Sequence, residues 1–155
     1  MKNVLLVALL ALATVAMVAQ NSAAKKKHTM STTASGPWKV TGPGTKTADG
    51  LEYWDLKTGT GKTAQKGDTV LVNYTGYFTD GKKFDSSIGR GPFKVEQLGN
   101  APVIKGWNEG IVGMKEGGKR QLKIPPDLAY GPQGYPGAIP PNATLIFDVE
   151  LMKVQ

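Results

Sequence analysis

The sequence predicts an α+β fold in which a curved antiparallel sheet of five or six strands wraps around one short helix. Three observations predict it. Apolar and polar residues alternate with a period of two through Thr69–Thr79, Arg120–Ile124 and Thr144–Val154, the pattern of half-buried strands. Asp80-Gly81 follows the first of these directly and marks a hairpin, which makes the neighbouring pair antiparallel. Helical spacing is confined to Ile104, Trp107 and Ile111, which share one face of a single turn.

In chain order, Leu51 to Leu56 alternates as a first strand and stops at the turn cluster Thr58-Gly59-Thr60-Gly61. Lys66-Gly67-Asp68 turns the chain into the long second strand, where Val70, Val72, Tyr74 and Gly76 alternate with Leu71, Asn73 and Thr75. Lys82 to Asp85 returns from the hairpin and brings Phe84 beside the end of that strand. Phe93 to Gln97 is a further short strand. The helix comes next, with glycine at 106, 110 and 113. Each glycine weakens a helix by about 0.8 to 1 kcal/mol relative to alanine, so packing must hold it, with Trp107 driven into a curved apolar surface. Pro125-Pro126 stops the strand that ends at Ile124, and the proline- and glycine-rich stretch from Asp127 to Pro141 admits neither a long helix nor a continuous ladder. In the last strand Leu145, Phe147, Val149 and Leu151 share one face, and Ile146, Asp148, Glu150 and Met152 the other.

The 155 residues suffice for one modest core and an extension. There is no cysteine and one histidine, His28, which excludes disulfides and thiol nucleophiles and leaves no Cys/His zinc site or histidine-based triad within the domain. The net charge of +7 is unevenly placed. Lys2, Lys25, Lys26, Lys27, Lys39 and Lys46, six of the 19 basic residues, precede the first acidic residue, Asp49, leaving 13 basic against 12 acidic residues beyond it. A nucleic-acid-binding domain carries its charge on the fold, so no nucleic-acid partner is expected.

Residues 1–24 read as a signal peptide: Lys2, an apolar run from Val4 to Ala19, and the small residues Ser22-Ala23-Ala24. The run is short for a bilayer span of about 20 apolar residues, which favours export over the alternative, an uncleaved membrane anchor. Residues 25–48, rich in Thr, Ser, Gly, Lys and Pro, are expected to be a flexible basic linker, with Trp38 either packed back or exposed. The folded domain is placed at 49–155.

Tyr74, Phe84, Phe93, Trp107, Tyr130 and Phe147 come from strands and loops that a curved sheet would gather around the helix, which makes a concave apolar site with Trp107 as its floor. The motifs around them, Tyr74-Thr75-Gly76, Asp80 to Ser87, Val103-Ile104-Lys105-Gly106-Trp107, Ala129-Tyr130-Gly131 and Ile139 to Leu151, together resemble the FK506-binding family of peptidyl-prolyl cis/trans isomerases in order and spacing from about Leu51 to Val154. The resemblance implies a pocket of Tyr74, Phe84, Asp85, Arg90, Phe93, Val103, Ile104, Trp107, Tyr130, Ile139 and Phe147. In it the Ile104 N–H and the Tyr130 hydroxyl donate to substrate carbonyls, and Asp85, oriented by Tyr74 or Arg90, lies near the twisting carbonyl. Pro102 stands where a glutamate is frequent, Tyr135 where a histidine is, and Ala138 where a larger aliphatic is. These departures alter the rim, and with it substrate preference and macrolide affinity.

The implied reaction suits what the sequence lacks. Rotation of an Xaa-Pro bond breaks no covalent bond, so it calls for no nucleophile, metal or cofactor. Expected partners are proline-containing polypeptides and FK506- or rapamycin-type macrolides. A monomer is expected, because no long amphipathic dimerisation helix precedes Asp49. The alternative is a module that binds proline-containing segments with weak catalysis.

Overall fold

The computed structural model describes residues 36–155. The signal peptide, Lys25 to Lys27 and His28 lie outside the described residues. Among the described residues seven strands form one antiparallel sheet: β1 (Thr45–Lys46), β2 (Glu52–Lys57), β3 (Val70–Phe78), β4 (Lys83–Ser86), β5 (Phe93–Val95), β6 (Lys119–Ile124) and β7 (Leu145–Val154), with one α-helix, α1 (Lys105–Gly110), between β5 and β6. The order across the sheet is β1-β2-β6-β7-β3-β4, and β5 shares the far edge of β3 with β4. The expected six strands are all present. The seventh, β1, has two residues in a stretch without alternation, and it forms because Thr45 and Lys46 pair with Tyr53 and Glu52.

The concave face carries the core. Val70 and Val72 of β3, Leu122 and Ile124 of β6, and Leu145, Val149 and Leu151 of β7 are fully buried with Ile111 and Leu98. The helix lies on β6 at short range. A Cβ on Gly106 would stand 2.5 Å from Ile124 Cγ2, and one on Gly110 would stand 2.7 Å from Leu122 Cδ2. Four helix residues rise about 6 Å and two strand residues about 6.6 Å, so the two glycines match two successive inward side chains of β6. These glycines weaken the helix as an isolated segment and permit its seat on the sheet.

The opposite face is not simply solvated. A strap from Gly36 to Gly44 crosses it. The Trp38 N–H donates to Asp148 Oδ2 on β7 (2.8 Å), and Gln121 Nε2 on β6 donates to the Trp38 carbonyl (2.7 Å) and to Asp148 Oδ1 (2.7 Å). Lys119 Nζ sits 5.4 Å from the centre of a Trp38 ring. Further along, Trp54 Nε1 on β2 donates to the Gly42 carbonyl (3.1 Å), just before the chain joins the sheet as β1. Asp148 and Gln121 are 3% and 4% exposed although both sit on the outward side of their strands. Burial pushes the Asp148 carboxyl up, against the hydrogen bonds from Gln121 and the Trp38 N–H. Part of the segment expected to be linker is thus docked on the sheet. Asp148→Ala removes both carboxylate acceptors and leaves only the Gln121 bond to the Trp38 carbonyl, and trypsin cleavage after the exposed Lys39 is expected to accelerate about tenfold or more through local opening. An unchanged cleavage rate would show that the strap is held by something else.

Candidate active site

Four strands, the helix and two loops meet at the open side of the sheet. The central strand β3 supplies Tyr74, β4 supplies Phe84 and Asp85, β5 begins with Phe93, and β7 supplies Phe147. The helix brings Trp107, and its N-cap is Ile104. With Pro102, Val103 and Tyr130 these residues line a cavity of about 300 Å³.

Trp107 is 5% exposed and is walled by three rings nearly perpendicular to it: Tyr74 at 4.9 Å and 78°, Phe147 at 5.3 Å and 85°, and Phe93 at 5.9 Å and 82°. Edge-to-face packing of this kind adds about 0.5 to 1.5 kcal/mol per pair beyond area burial, so the walls hold the floor flat. Its indole Nε1 is buried without a hydrogen-bond partner among the described residues. Phe84 meets Phe147 at 5.6 Å and 88° and closes the far wall.

The polar groups sit on the rim. Asp85 accepts from the Tyr74 hydroxyl at 2.6 Å through Oδ2, and from Arg90 Nη2 (2.7 Å) and the Ser86 N–H (2.8 Å) through Oδ1. Burial alone would raise the Asp85 carboxyl; the bonds from Tyr74, Ser86 and Arg90 outweigh it and hold the group below its ordinary range. Tyr74 is pushed up to about 12, first by burial and then by Asp85, and Tyr130 is raised by burial with Asp85 and Tyr135 nearby. Both phenols therefore remain protonated donors at neutral pH. The Ile104 N–H has no partner among the described residues, while the Ile104 carbonyl accepts from the Trp107 N–H at 3.0 Å.

Of the residues expected from the sequence, Arg90 and Ile139 do not line this cavity. Arg90 acts on Asp85 and on the Ser86 carbonyl from outside. Ile139 is buried, exchanging two backbone hydrogen bonds with Tyr135, and lines a separate depression with Gln133 and Pro136 to Pro141. Tyr135 stacks obliquely on Tyr130 at 5.9 Å. Two supports were not read from the sequence. Asn108 accepts the Gly99 and Ala101 N–H groups and donates to the Ala101 carbonyl, which fixes the loop carrying Pro102 and Val103. Ser87 Oγ, buried, accepts the Tyr74 N–H at 2.9 Å.

The model of the FKBP-type peptidyl-prolyl cis-trans isomerase family matches residues 60–152. The chain belongs to this family. An FK506-binding protein of Neisseria meningitidis serogroup B is 55% identical over 105 residues, which cover 68% of this chain and 96% of the relative. A peptidyl-prolyl cis-trans isomerase of Schizosaccharomyces pombe is 48% identical over 106 residues, 68% of this chain and 95% of the relative. Among solved structures, FkpA from Escherichia coli matches with a TM-score of 0.66 and 47% identity over 73% of this chain, which spans 52% of the FkpA chain. The described residues of this FKBP-type isomerase form the curved antiparallel sheet with the short helix α1, and the aromatic cavity lies within the matched residues.

Proposed function

We propose that this FKBP-type isomerase accelerates Xaa-Pro rotation in exported polypeptides through the cavity floored by Trp107. The observation that carries the reading is the perpendicular aromatic box with the Tyr74, Tyr130 and Ile104 donors at its rim. Amide resonance imposes a barrier of about 18 to 20 kcal/mol on the rotation. In the twisted amide that resonance is lost and the carbonyl is less polar, so a dry apolar cavity favours it over the planar, better-solvated ground state. Trp107, Tyr74, Phe84 and Phe147 hold the proline ring. The Ile104 N–H and the Tyr130 hydroxyl donate to carbonyls on either side of it. Asp85 contributes as a fixed negative charge near the twisting carbonyl carbon, and the same cavity accepts FK506-type macrolides. The leader-like residues 1–24 support export, and N-terminal sequencing of the secreted product is expected to begin near Lys25.

An NMR exchange or protease-coupled assay on short Ala-Xaa-Pro-Phe peptides tests this reading. Asp85→Ala is expected to lower kcat/KM by about five- to tenfold, less than the roughly hundredfold or greater loss when an oxyanion-hole donor is removed, because Asp85 makes no bond to the rotating group and acts on it only as a fixed charge. Asp85 is ionised above its depressed range and Tyr74 and Tyr130 are protonated below their raised ones. The wild-type rate is therefore expected to be flat from about pH 5.5 to 9. A rate that rose or fell tenfold across that interval would require a different titrating group. Equal activity of Asp85→Ala and wild type would remove Asp85 from the mechanism.

A further inference from the structure

We infer that Arg120, outside the cavity, is a positioning residue for this isomerase: it fixes the register of α1 on β6 and through it the height of the Trp107 floor. The inference rests on the isomerase reading and goes beyond it.

Arg120 is a charged residue at an inward position of β6, next in line after Ile124 and Leu122, and it is only 7% exposed. Its guanidinium uses its fork in two directions. Nε and Nη2 chelate Asp55 on β2 at 2.7 and 3.0 Å, and Nη1 donates to the carbonyls of Gly110 (2.9 Å) and Val112 (3.4 Å) at the C-terminal end of α1. The group also lies 4.3 Å over the Tyr53 ring.

This end of the helix is closed by the Ile111 N–H on the Trp107 carbonyl and carries no basic residue of its own. A helix of six residues does not stand alone in water, so its position is whatever the surroundings impose. Its contact with β6 runs through Gly106 and Gly110 on Ile124 and Leu122, an apolar fit that sets which residues meet but supplies no directional bond to hold the last turn. Directional bonds on the helix itself come from Asn108 toward the preceding loop and from Arg120 at the other end, and just beyond the helix the Gly113 N–H donates to the Ala64 carbonyl at 2.9 Å. Ile111, between the two carbonyls that Arg120 holds, donates its N–H to the Trp107 carbonyl at 3.1 Å. The clamp therefore brackets the bond that ends the Trp107 turn. A buried arginine is a costly way to fill this space, and an apolar residue of like volume is often neutral or stabilising. What the arginine adds is geometry.

The test compares full-length wild type, Arg120→Met, Arg120→Lys, Asp55→Ala and the Arg120→Met/Asp55→Ala pair, at a temperature where near-ultraviolet circular dichroism shows each folded. Peptide kcat and KM are measured together with the Trp107 indole ¹H–¹⁵N signal, assigned by its loss in Trp107→Phe, with the Trp38 signal as control. Arg120→Met is expected to lower kcat about tenfold, since a floor displaced by a fraction of an ångström costs rate without a lost contact, and to move the Trp107 signal but not that of Trp38. Arg120→Lys recovers about half of that loss on a logarithmic scale, keeping a donor for the carbonyls without the fork. Asp55→Ala, whose side chain is 47% exposed, folds readily, lowers kcat about threefold, and adds nothing in the Arg120→Met background because it acts only through Arg120. A folded Arg120→Met with wild-type kcat and an unmoved Trp107 signal would overturn the inference, as would a full Asp55→Ala effect in the pair. An inactive wild type would instead sink the isomerase reading, and the indole signal would still report the register. Should Arg120→Met fail to fold, Asp55→Ala and Arg120→Lys carry the same two readouts.

Discussion

Trp107→Leu is expected to reduce kcat/KM by about a hundredfold while leaving a folded protein. The indole is the largest side chain lining the cavity, and three perpendicular rings hold it in place. Leucine restores apolar volume but no flat face, so the proline ring loses its seat and the twisted amide its dry surroundings. Trp107→Ala goes further: truncating a buried tryptophan costs about 3 to 5 kcal/mol, a large share of the stability of a domain this size, so loss of activity there would not separate floor from fold. The leucine variant separates them, because the buried Nε1 lacks a partner among the described residues and no hydrogen bond is given up with the ring. The measurement is the peptide assay beside a thermal melt. Activity within threefold of wild type from a folded Trp107→Leu would move the catalytic surface elsewhere in the cavity.

Why the floor was legible in the sequence and other parts were not follows from what hydrophobic patterning records. Burial on the concave face is written in alternation: Leu145, Phe147, Val149 and Leu151 are all buried as their spacing requires, and Ile104, Trp107 and Ile111 mark the helix that the structure places over them. The hairpin at Asp80-Gly81 is equally local, since Gly81 takes a φ of 86° that favours glycine there. The strap leaves no such trace. It is held through the main chain of Trp38, so its own side chains carry no period, and the residues that read it, Asp148 and Gln121, occupy outward positions where polar residues are expected to be wet. Arg120 and Asn108 escape for a related reason: each works by bonding backbone groups of another element, and backbone groups look alike in every sequence. Ile139 shows the reverse case, in which a family motif points to a pocket residue and the fold buries it in the core outside the cavity lining.

Gly76→Ala is expected to be the most damaging single-methyl change in the sheet, and it links strand geometry to the site. Gly76 lies in the middle of β3, opposite Phe147 on one side and Asp85 on the other. Glycine weakens a strand interior, so its presence there marks a close approach. A Cβ at this position would stand 2.6 Å from Phe84 Cζ and 2.9 Å from Phe147 Cε1. The two rings occupy the space that a side chain would take, and in doing so they form the far wall of the cavity, 5.6 Å apart and perpendicular. Alanine must push at least one of them off its rotamer. Overpacking of this kind costs about 1 to 3 kcal/mol. Both rings line the cavity, so moving either one reshapes its wall and peptide kcat/KM is expected to fall about tenfold as well. Combining Gly76→Ala with Phe84→Leu makes room for the methyl, and the pair is expected to recover most of the lost stability but not the activity, because the wall is then missing. Thermal melts and the peptide assay on the three variants decide it. If Gly76→Ala melts and turns over like wild type, the rings are free to shift and the box around Trp107 is not the rigid frame that the proposed mechanism requires.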